Sequence, residues 1–278
     1  MSDTNPNLHW PVYQNLERAV DELTFAIHFE DDQLGVYSSE IIDLILRAAT
    51  EIESIAKELH IGISGTTKDR SKIKFDKDAL ADLIPRWDLE AKVVLISSPN
   101  MFFTDSELRP LAYNSKNGWG DDSWEWNTTA YQALKHDRAA SMKHGNVKHL
   151  IEIMAALYLL NLYYRDQQYE AADAGGTSLD RGFGSRVFSV GLDSVGYRGS
   201  MLLPGTEYAR SAYLVVPTDD FLEKWVPAMS KMSQLVANAG PAEPLNMNRM
   251  AIDSGVAALW NKGTYVARLN RNYEVDNS

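Results

Sequence analysis

Residues 131–166 read YQALKHDRAASMKHGNVKHLIEIMAALYLLNLYYRD, and this stretch decides the fold. It opens with polar and cationic side chains and passes through Gly145 and Asn146 into an apolar run that starts at Leu150. A run of this kind predicts a helix from about Asn146 to about Tyr164 that is buried on most sides. Residues with chemical function and residues of the core therefore meet where this helix begins.

The first half of the stretch concentrates positive charge. Three of the six histidines in the chain fall within it, together with several cations. These residues are His136, His144, His149, Lys135, Arg138, Lys143 and Lys148. The whole chain has a formal net charge of -11 at pH 7. Because the local charge opposes the overall charge, it predicts a place where an anion binds.

Two amphipathic helices are predicted before this stretch. The first covers about residues 12–29. The second begins with Ser38 or Ser39 as its N-cap and carries an apolar stripe from Ile41 to Leu59. Two helices joined by a short linker favour an antiparallel hairpin.

Glu51 lies at the border of the apolar stripe of the second helix, where its carboxylate would be partly desolvated. A carboxylate in such a place is expected to have a cationic partner. The alternative is a pair with Arg47, four residues earlier, on a solvated face of the helix.

The rest of the chain is predicted to contain short strands, a third helix and irregular segments. Residues 61–80 are polar and predict a loop, whereas residues 92–96 are β-branched and predict a strand. The third helix begins at Asn127 or Thr128 and runs to about Arg138. Further strands are predicted at residues 187–190, 213–216 and 265–269, with a helix at about 221–237. The C-terminal third is therefore predicted to be α+β.

Trp119, Trp124 and Trp126 form an aromatic cluster in the sequence. Tryptophan rings stack on bases and sugars, which favours a binding surface. The alternative is that they pack a loop against the core.

Composition excludes several kinds of site. The chain contains no cysteine, which excludes disulfides and thiolate metal sites. Its acidic balance argues against general coating of nucleic acid or anionic membrane. The N-terminal residues lack the features of a secretion signal, and the apolar run is shorter than the roughly 20 residues that cross a bilayer. We expect a cytoplasmic protein without a membrane partner.

Arg138 and His144 are separated by five residues, and they are predicted to lie at the end of one helix and near the start of the next. This arrangement suits metal-free RNA cleavage. An imidazole can move a proton from the 2′-hydroxyl, and a guanidinium can offset the charge that builds on the phosphate. The free N–H groups at the start of the following helix predict that an anionic oxygen is bound near His144, Asn146 and Lys148.

A structural alternative remains open at the same residues. Arg138 would pair with a carboxylate such as Glu51 or Asp137, and the neighbouring cations would be surface residues. A metal is not expected, because His144 and His149 are five positions apart and no His-x-x-x-His spacing accompanies them. No cofactor is expected either.

A family resemblance rests on a short pattern of residues. The pattern consists of two opening helices, Trp126, Tyr131, the run Lys135-His136-Asp137-Arg138, and His144 at the head of a long apolar helix. It resembles the HEPN superfamily of helical-bundle proteins. The motif of that superfamily is Arg, four to six residues, then His, which Arg138 and His144 match.

The resemblance implies a function. Active members are homodimeric, metal-independent ribonucleases of toxin-antitoxin, abortive-infection and other antiphage systems. It makes Arg138 and His144 the catalytic pair, with Glu51 and His136 in support. Phosphates would be held by Lys135, Lys143, Lys148 and Asn146. Other members bind a nucleotide or a partner protein without catalysis, and this alternative stays open.

The resemblance also implies an organisation. We expect a mainly α protein with an antiparallel helical bundle core over residues 12–170 and a small β-containing insertion at 61–125. Residues 185–278 form an α+β region whose role the sequence does not indicate. The expected partners are RNA, a second copy of the chain and an antitoxin or other protein.

Overall fold

The computed structural model describes residues 8–112, 124–198, 201–203, 205–238, 246–259 and 262–271. Within these ranges the chain is mainly α with some β, as predicted. The α-helices are α1 (His9–Leu23), α2 (Ser39–Ser64), α3 (Ala81–Trp87), α4 (Ala133–His136), α5 (Arg138–Ser141), α6 (Val147–Arg165), α7 (Asp219–Asn238), α8 (Met247–Ser254) and α9 (Val256–Leu259). The 3₁₀ turns are Asp31–Gln33, Arg70–Lys72 and Met142–His144, and the π-helical segments are Phe75–Leu80 and Trp126–Gln132.

The strands are short and form several small sheets. They are β1 (Phe29–Glu30), β2 (Val94–Ile96), β3 (Met101–Phe102), β4 (Glu107–Leu108), β5 (Tyr169–Ala171), β6 (Phe188–Val190), β7 (Leu192–Ser194), β8 (Gly196–Arg198), β9 (Met201–Leu203), β10 (Tyr213–Pro217) and β11 (Tyr265–Leu269). One sheet has the order β5-β11-β10-β7 and another β4-β2-β6. Two further pairs are β1-β3, which is parallel, and β8-β9, which is antiparallel.

The helix α6 is buried along almost its whole length, which confirms the prediction from its apolar run. Side chains such as Leu150, Met154 and Tyr158 have no exposed surface. Both α1 and α2 pack against it. Among the described residues, no helix combines the length and the apolar character that crossing a membrane requires.

The N-cap of α2 is Ser38, one of the two predicted residues. Its side-chain oxygen accepts a hydrogen bond from the Ile41 N–H at 3.1 Å. The helix then continues past residue 61, where a loop was predicted, and ends at Ser64, with Gly65 as its C-cap at φ 61°. Glycine adopts this left-handed conformation without the steric cost that a side chain would bring.

The helix α1 differs from its predicted range of 12–29. It begins three residues earlier and ends at Leu23, where the Thr24 N–H bonds the Asp21 carbonyl at 3.1 Å. Phe29 and Glu30 form β1. The apolar residues after Leu23 continue the helical spacing by coincidence, because their backbone has already left the helix.

Strand pairing crosses the predicted boundaries between regions. The strand β2, in the predicted insertion, pairs with β6 of the C-terminal region. The strand β5, which ends the predicted N-terminal region, pairs with β11. One continuous core runs through these regions as well. The predicted ranges 61–125 and 185–278 also include residues outside the described part of the chain.

The carboxylate of Glu17 joins α1 to the segment that leads into β6. Glu17 is buried, and its Oε1 accepts hydrogen bonds from Tyr13 Oη at 2.7 Å, from the Arg186 N–H at 3.1 Å, from the Val187 N–H at 3.2 Å and from Ser185. Burial raises the pKa of Tyr13 well above its usual value, and Glu17 adds to this, so the phenol stays a donor. One carboxylate therefore satisfies several buried donors at once.

We expect Glu17→Ala to lower the free energy of unfolding by about 3 kcal/mol or more, because buried N–H and O–H groups would lose their acceptor. Glu22→Ala is the matched control, since Glu22 is exposed on the same helix. It should change stability by less than about 0.5 kcal/mol. Urea unfolding followed by circular dichroism measures both, and equal effects in the two variants would contradict the anchoring role of Glu17.

Candidate functional site

The residues from Lys135 to His144, here called the cationic segment, do not form a single helix. The helix α4 ends at His136, and Asp137 has non-helical backbone angles of φ -147° and ψ 82°. The Asp137 side chain accepts a hydrogen bond from the Ala140 N–H at 3.1 Å and so caps α5. Arg138 therefore begins a new short helix instead of ending the third predicted one, and His144 ends the 3₁₀ turn that follows.

Arg138 pairs with Asp43 on α2. Its Nη2 lies 2.9 Å from Asp43 Oδ1, and the side chains are 48% and 61% exposed. Neither Glu51 nor Asp137, the two carboxylates expected as alternatives, is this partner. Ion pairs as exposed as this one contribute at most about 1 kcal/mol. The guanidinium is therefore held in place weakly and can exchange Asp43 for another anion.

Glu51 has a different partner from those predicted. Its Oε2 lies 2.9 Å from His9 Nδ1, and His9 Nε2 lies 3.3 Å from Glu58. The His9 ring is buried and packs edge-on against Tyr164 at 4.8 Å. Because Glu51 is eight positions after Asp43 on α2, it lies about 12 Å farther along the helix than the carboxylate that holds Arg138. In this conformation Glu51 joins α1 to α2 and does not orient Arg138.

The start of α6 has no N–H group left for an anion within its first turn. The Val147 N–H donates to the Val36 carbonyl at 3.0 Å, and the Lys148 N–H donates to the Leu34 carbonyl at 3.1 Å. The third N–H group, that of His149, donates to the side-chain oxygen of Asn146 at 3.1 Å. Asn146 is thus the N-cap of α6, and the predicted anion site at this helix terminus is occupied by the protein itself.

The predicted phosphate-binding lysines divide into two groups. Lys135 bonds the Tyr131 hydroxyl at 3.1 Å and lies 3.8 Å from Glu53. Lys148 pairs with Glu125 and lies 3.8 Å from Glu152. By contrast, Lys143 is exposed, and so is His136. Neither of these two side chains has a hydrogen-bond partner within the part of the chain that the structure describes.

His144 connects the cationic segment to a second group of residues. Its carbonyl accepts a hydrogen bond from His149 Nδ1 at 2.8 Å, and the two ring centroids are 6.5 Å apart. The His144 side chain is half-buried. The structure therefore places the two motif residues differently, with Arg138 turned to Asp43 and His144 beside His149.

Beyond His149 lies a cleft of about 300 Å³, here called the acidic cleft. Its lining includes Glu107, Arg109, Trp124, Glu125, Trp126, Lys148 and Glu152. A neighbouring cavity of about 190 Å³ shares Lys148 and Glu152 with it. These two side chains therefore stand between two openings on the surface.

The tryptophans beside the acidic cleft are packing residues. Trp124 and Trp126 are buried and stack with ring centroids 5.8 Å apart. Their indole N–H groups donate to the carbonyls of Leu111 at 3.0 Å and Pro110 at 2.9 Å. For these two residues the core alternative is confirmed, whereas Trp119 lies outside the described residues.

Burial controls the charge of the acidic cleft. It raises the pKa of Glu152 to about 7, although Lys148 acts in the opposite direction. Burial also lowers the pKa of His149 from its usual value. For Lys148 burial acts to lower the pKa, but the hydrogen bond to Glu125 and the charge of Glu152 outweigh it, so the pKa is raised. A carboxyl group with a pKa near neutrality can both accept and donate a proton at physiological pH.

Sequence reasoning missed the grouping of Glu125, His149 and Glu152. A potential ligand atom of each lies within 4.8 Å of those of the other two. The spacing of His149 and Glu152, three positions apart on a predicted helix, was the available signal. Glu125 comes from before the π-helical segment, and no local pattern connects it to α6.

Comparison with known proteins returned no match, since no family model, no curated protein and no solved structure is significantly similar to the chain.

We expect the pKa of Glu152 to make stability depend on pH. The native carboxyl keeps its proton up to about pH 7, whereas its ordinary pKa is 4.5, so native protein binds more protons between these values. The free energy of unfolding should then fall by up to about 3 kcal/mol as pH rises through this window. In buffer with EDTA, Glu152→Gln should remove most of this fall and be more stable than wild type at pH 8.

Glu58→Gln is the control, because its effect on stability at pH 8 is expected to be opposite to that of Glu152→Gln. Burial acts to raise the pKa of Glu58, but hydrogen bonds from Tyr164 and Arg70 outweigh it and lower the pKa. That carboxylate stabilises the native state at neutral pH, and the contribution is lost only as pH falls below about 4.5, its ordinary pKa. Glu58→Gln should therefore be less stable than wild type at pH 8. Urea unfolding at pH 4.5 and pH 8 measures both variants, and a Glu152→Gln curve parallel to wild type would refute the assignment.

Proposed function

We propose that the protein is a metal-independent RNA endonuclease of the HEPN type, acting in a defence or toxin system, in which Arg138 and His144 cleave RNA as parts of a homodimer. The observation that carries this proposal is the placement of both motif residues in one short surface segment, residues 138–144. The Arg138 guanidinium is half-exposed, and within the described part of the chain its one ion-pair partner is an exposed carboxylate. A phosphate can replace that carboxylate without unfolding any part of the core.

The packing of α1, α2 and α6 supports the proposal. These helices share one apolar core, and the motif lies directly before the most buried of the three. We assign this arrangement to the antiparallel helical bundle that the resemblance implies, with residues 12–170 as its extent. Exposed cationic and imidazole side chains, from Lys143 and His136, lie in the same segment.

The chemistry assigns a separate task to each motif residue. The imidazole of His144 takes the proton of the 2′-hydroxyl, whose oxygen attacks the adjacent phosphorus. The bond from phosphorus to the 5′-oxygen breaks, and a second imidazole, from the other copy of the chain, protonates the leaving oxygen. The guanidinium of Arg138 offsets charge on the phosphate. The products are a 2′,3′-cyclic phosphate and a 5′-hydroxyl.

A second candidate function is a non-catalytic module that binds a nucleotide or a partner protein. The pairing of Arg138 with Asp43 favours it, because a carboxylate already occupies the anion-binding face of the guanidinium. The occupied Lys135 and Lys148 favour it too, and Asn146 is used as a helix cap. Only part of the predicted phosphate site is therefore free in this conformation.

We expect wild-type protein to cleave total RNA in the presence of EDTA and to leave 2′,3′-cyclic phosphate ends. Arg138→Ala and His144→Ala should each lower the rate by about 100-fold or more, because general acid-base catalysis alone contributes at least this much. His28→Ala is the matched control, since His28 is another exposed histidine, stacked on Phe102 at 4.9 Å. Cleavage that survives both motif substitutions would refute the catalytic assignment, and RNA binding without any cleavage would favour the second candidate function.

We also expect Asp43→Asn to strengthen RNA binding by roughly two- to fivefold, because it frees a guanidinium from an exposed pair worth up to about 1 kcal/mol. Glu223→Gln changes the net charge equally on the exposed surface of α7 and should have a smaller effect. Fluorescence anisotropy with labelled RNA at several salt concentrations measures both variants. Equal changes would mean that Arg138 does not contact the phosphate.

A further inference from the structure

The residues Glu125, His149 and Glu152, here called the buried triad, have a composition and placement suited to a metal ion. One potential ligand atom of each lies within 4.8 Å of those of the other two. His149 and Glu152 are three positions apart on α6 and so share one face of that helix. Glu125 approaches from the start of the π-helical segment and lines the acidic cleft, as Glu152 does.

The ring of His149 is held in one orientation by burial and by a hydrogen bond. It is only 5% exposed, and its Nδ1 bonds the His144 carbonyl at 2.8 Å. A carbonyl only accepts, so Nδ1 carries the proton and the lone pair of the neutral ring is on Nε2. Among the described residues, the His149 side chain has no other hydrogen-bond partner. Metal-binding histidines are oriented in this way, with one ring N–H bonded to a carbonyl and the other nitrogen on the metal.

Glu152 supplies an independent sign that its surroundings suit a cation. Its Oε2 is buried and has no hydrogen-bond partner in the described part of the chain. The nearest cation to its other oxygen is the Lys148 ammonium, at 3.8 Å. Leaving a carboxylate oxygen buried without a partner is costly, and a bound cation removes that cost.

We propose that Glu125, His149 and Glu152 bind a divalent transition-metal ion of the Zn²⁺ class, with an open coordination position toward the acidic cleft. One imidazole nitrogen with two carboxylates is a ligand set that Zn²⁺ accepts, and three protein ligands with an open fourth position distinguish reactive sites from closed structural ones. Imidazole selects against Mg²⁺ and Ca²⁺, which prefer oxygen ligands. This inference goes beyond the proposed function, whose chemistry at Arg138 and His144 uses no metal.

Metal binding requires a local rearrangement. Atoms bound to one Zn²⁺ at about 2.1 Å lie about 3.4 Å apart in tetrahedral geometry, and the triad atoms lie within 4.8 Å of one another. The ammonium of Lys148 pairs with Glu125 and lies 3.8 Å from Glu152. Its side chain is 43% exposed, so it can turn into solvent. The ion therefore takes the place of Lys148 as the two carboxylates move inward.

The bound ion acts on the cationic segment through one hydrogen bond. When the metal fixes the His149 ring, the Nδ1–H group fixes the His144 carbonyl, and with it the turn that carries the His144 side chain. Metal occupancy is thus coupled to the position of a motif residue. The coupling runs through backbone geometry, and it holds whether or not the segment cleaves RNA.

The test uses the full-length, metal-stripped protein and isothermal titration with Zn²⁺, followed by Co²⁺ and its visible absorption spectrum. We expect about one ion per chain and a Co²⁺ spectrum typical of a low-coordinate site with a nitrogen ligand. His149→Gln and Glu152→Gln should each weaken binding by about 100-fold or more, since loss of an outer partner alone can cost that much. His60→Gln is the control, because His60 forms a similar contact with Asp82 at 2.9 Å outside the triad.

Lys148→Met separates a metal site from an internal ion pair. If the ammonium competes with the ion, removing it should tighten Zn²⁺ binding by about tenfold, equivalent to one exchanged charge contact. Circular dichroism checks that each variant is folded. Zn²⁺ binding that is equal in wild type, His149→Gln and Glu152→Gln would show adventitious surface binding and overturn the proposal, as would weaker binding in Lys148→Met.

Discussion

The burial of α6 on nearly all sides is the constraint on which the rest of the structure depends. A helix without a polar face cannot lie on a surface, so other elements must enclose it. The helices α1 and α2 pack against it, and Phe188 of β6 stacks on its Tyr158. Polar side chains are confined mostly to its ends, which is why Lys148 and Glu152 in the first two turns line the acidic cleft.

Local patterns in the sequence were sufficient to predict the long helices α2 and α6. The apolar spacing of α2 and its cap at Ser38 depend only on neighbours in the chain, and so does the buried run of α6. The break at Asp137 was not predictable in this way, because an aspartate can continue a helix or cap the next one. The pairing of β2 with β6 brings together segments far apart in sequence, and short strands carry little information about their partners.

In the candidate site, too, the local pattern could be predicted from the sequence and the tertiary contacts could not. The spacing of Arg138 and His144 identified a surface segment, but the partner of Arg138 depended on which residue of α2 faces it, and that residue is Asp43 rather than Glu51. The acidic cleft could not be predicted from the sequence, because it forms only where the folded chain brings Glu125 close to α6. Electrostatic effects such as the raised pKa of Glu152 arise from burial, and burial of a single side chain is a property of the assembled fold.

The anchoring of α1 by Glu17 has a consequence for synthesis of the chain. The hydroxyl of Ser185 is 168 positions away from the carboxylate that it bonds. At typical translation rates of about 5–20 residues per second, Glu17 leaves the ribosome roughly ten to thirty seconds before Ser185. During this interval Tyr13 is the one donor, of the four that bond the carboxylate, that has already been made. The full set of hydrogen bonds at Glu17 can therefore form only after Val187 has been made.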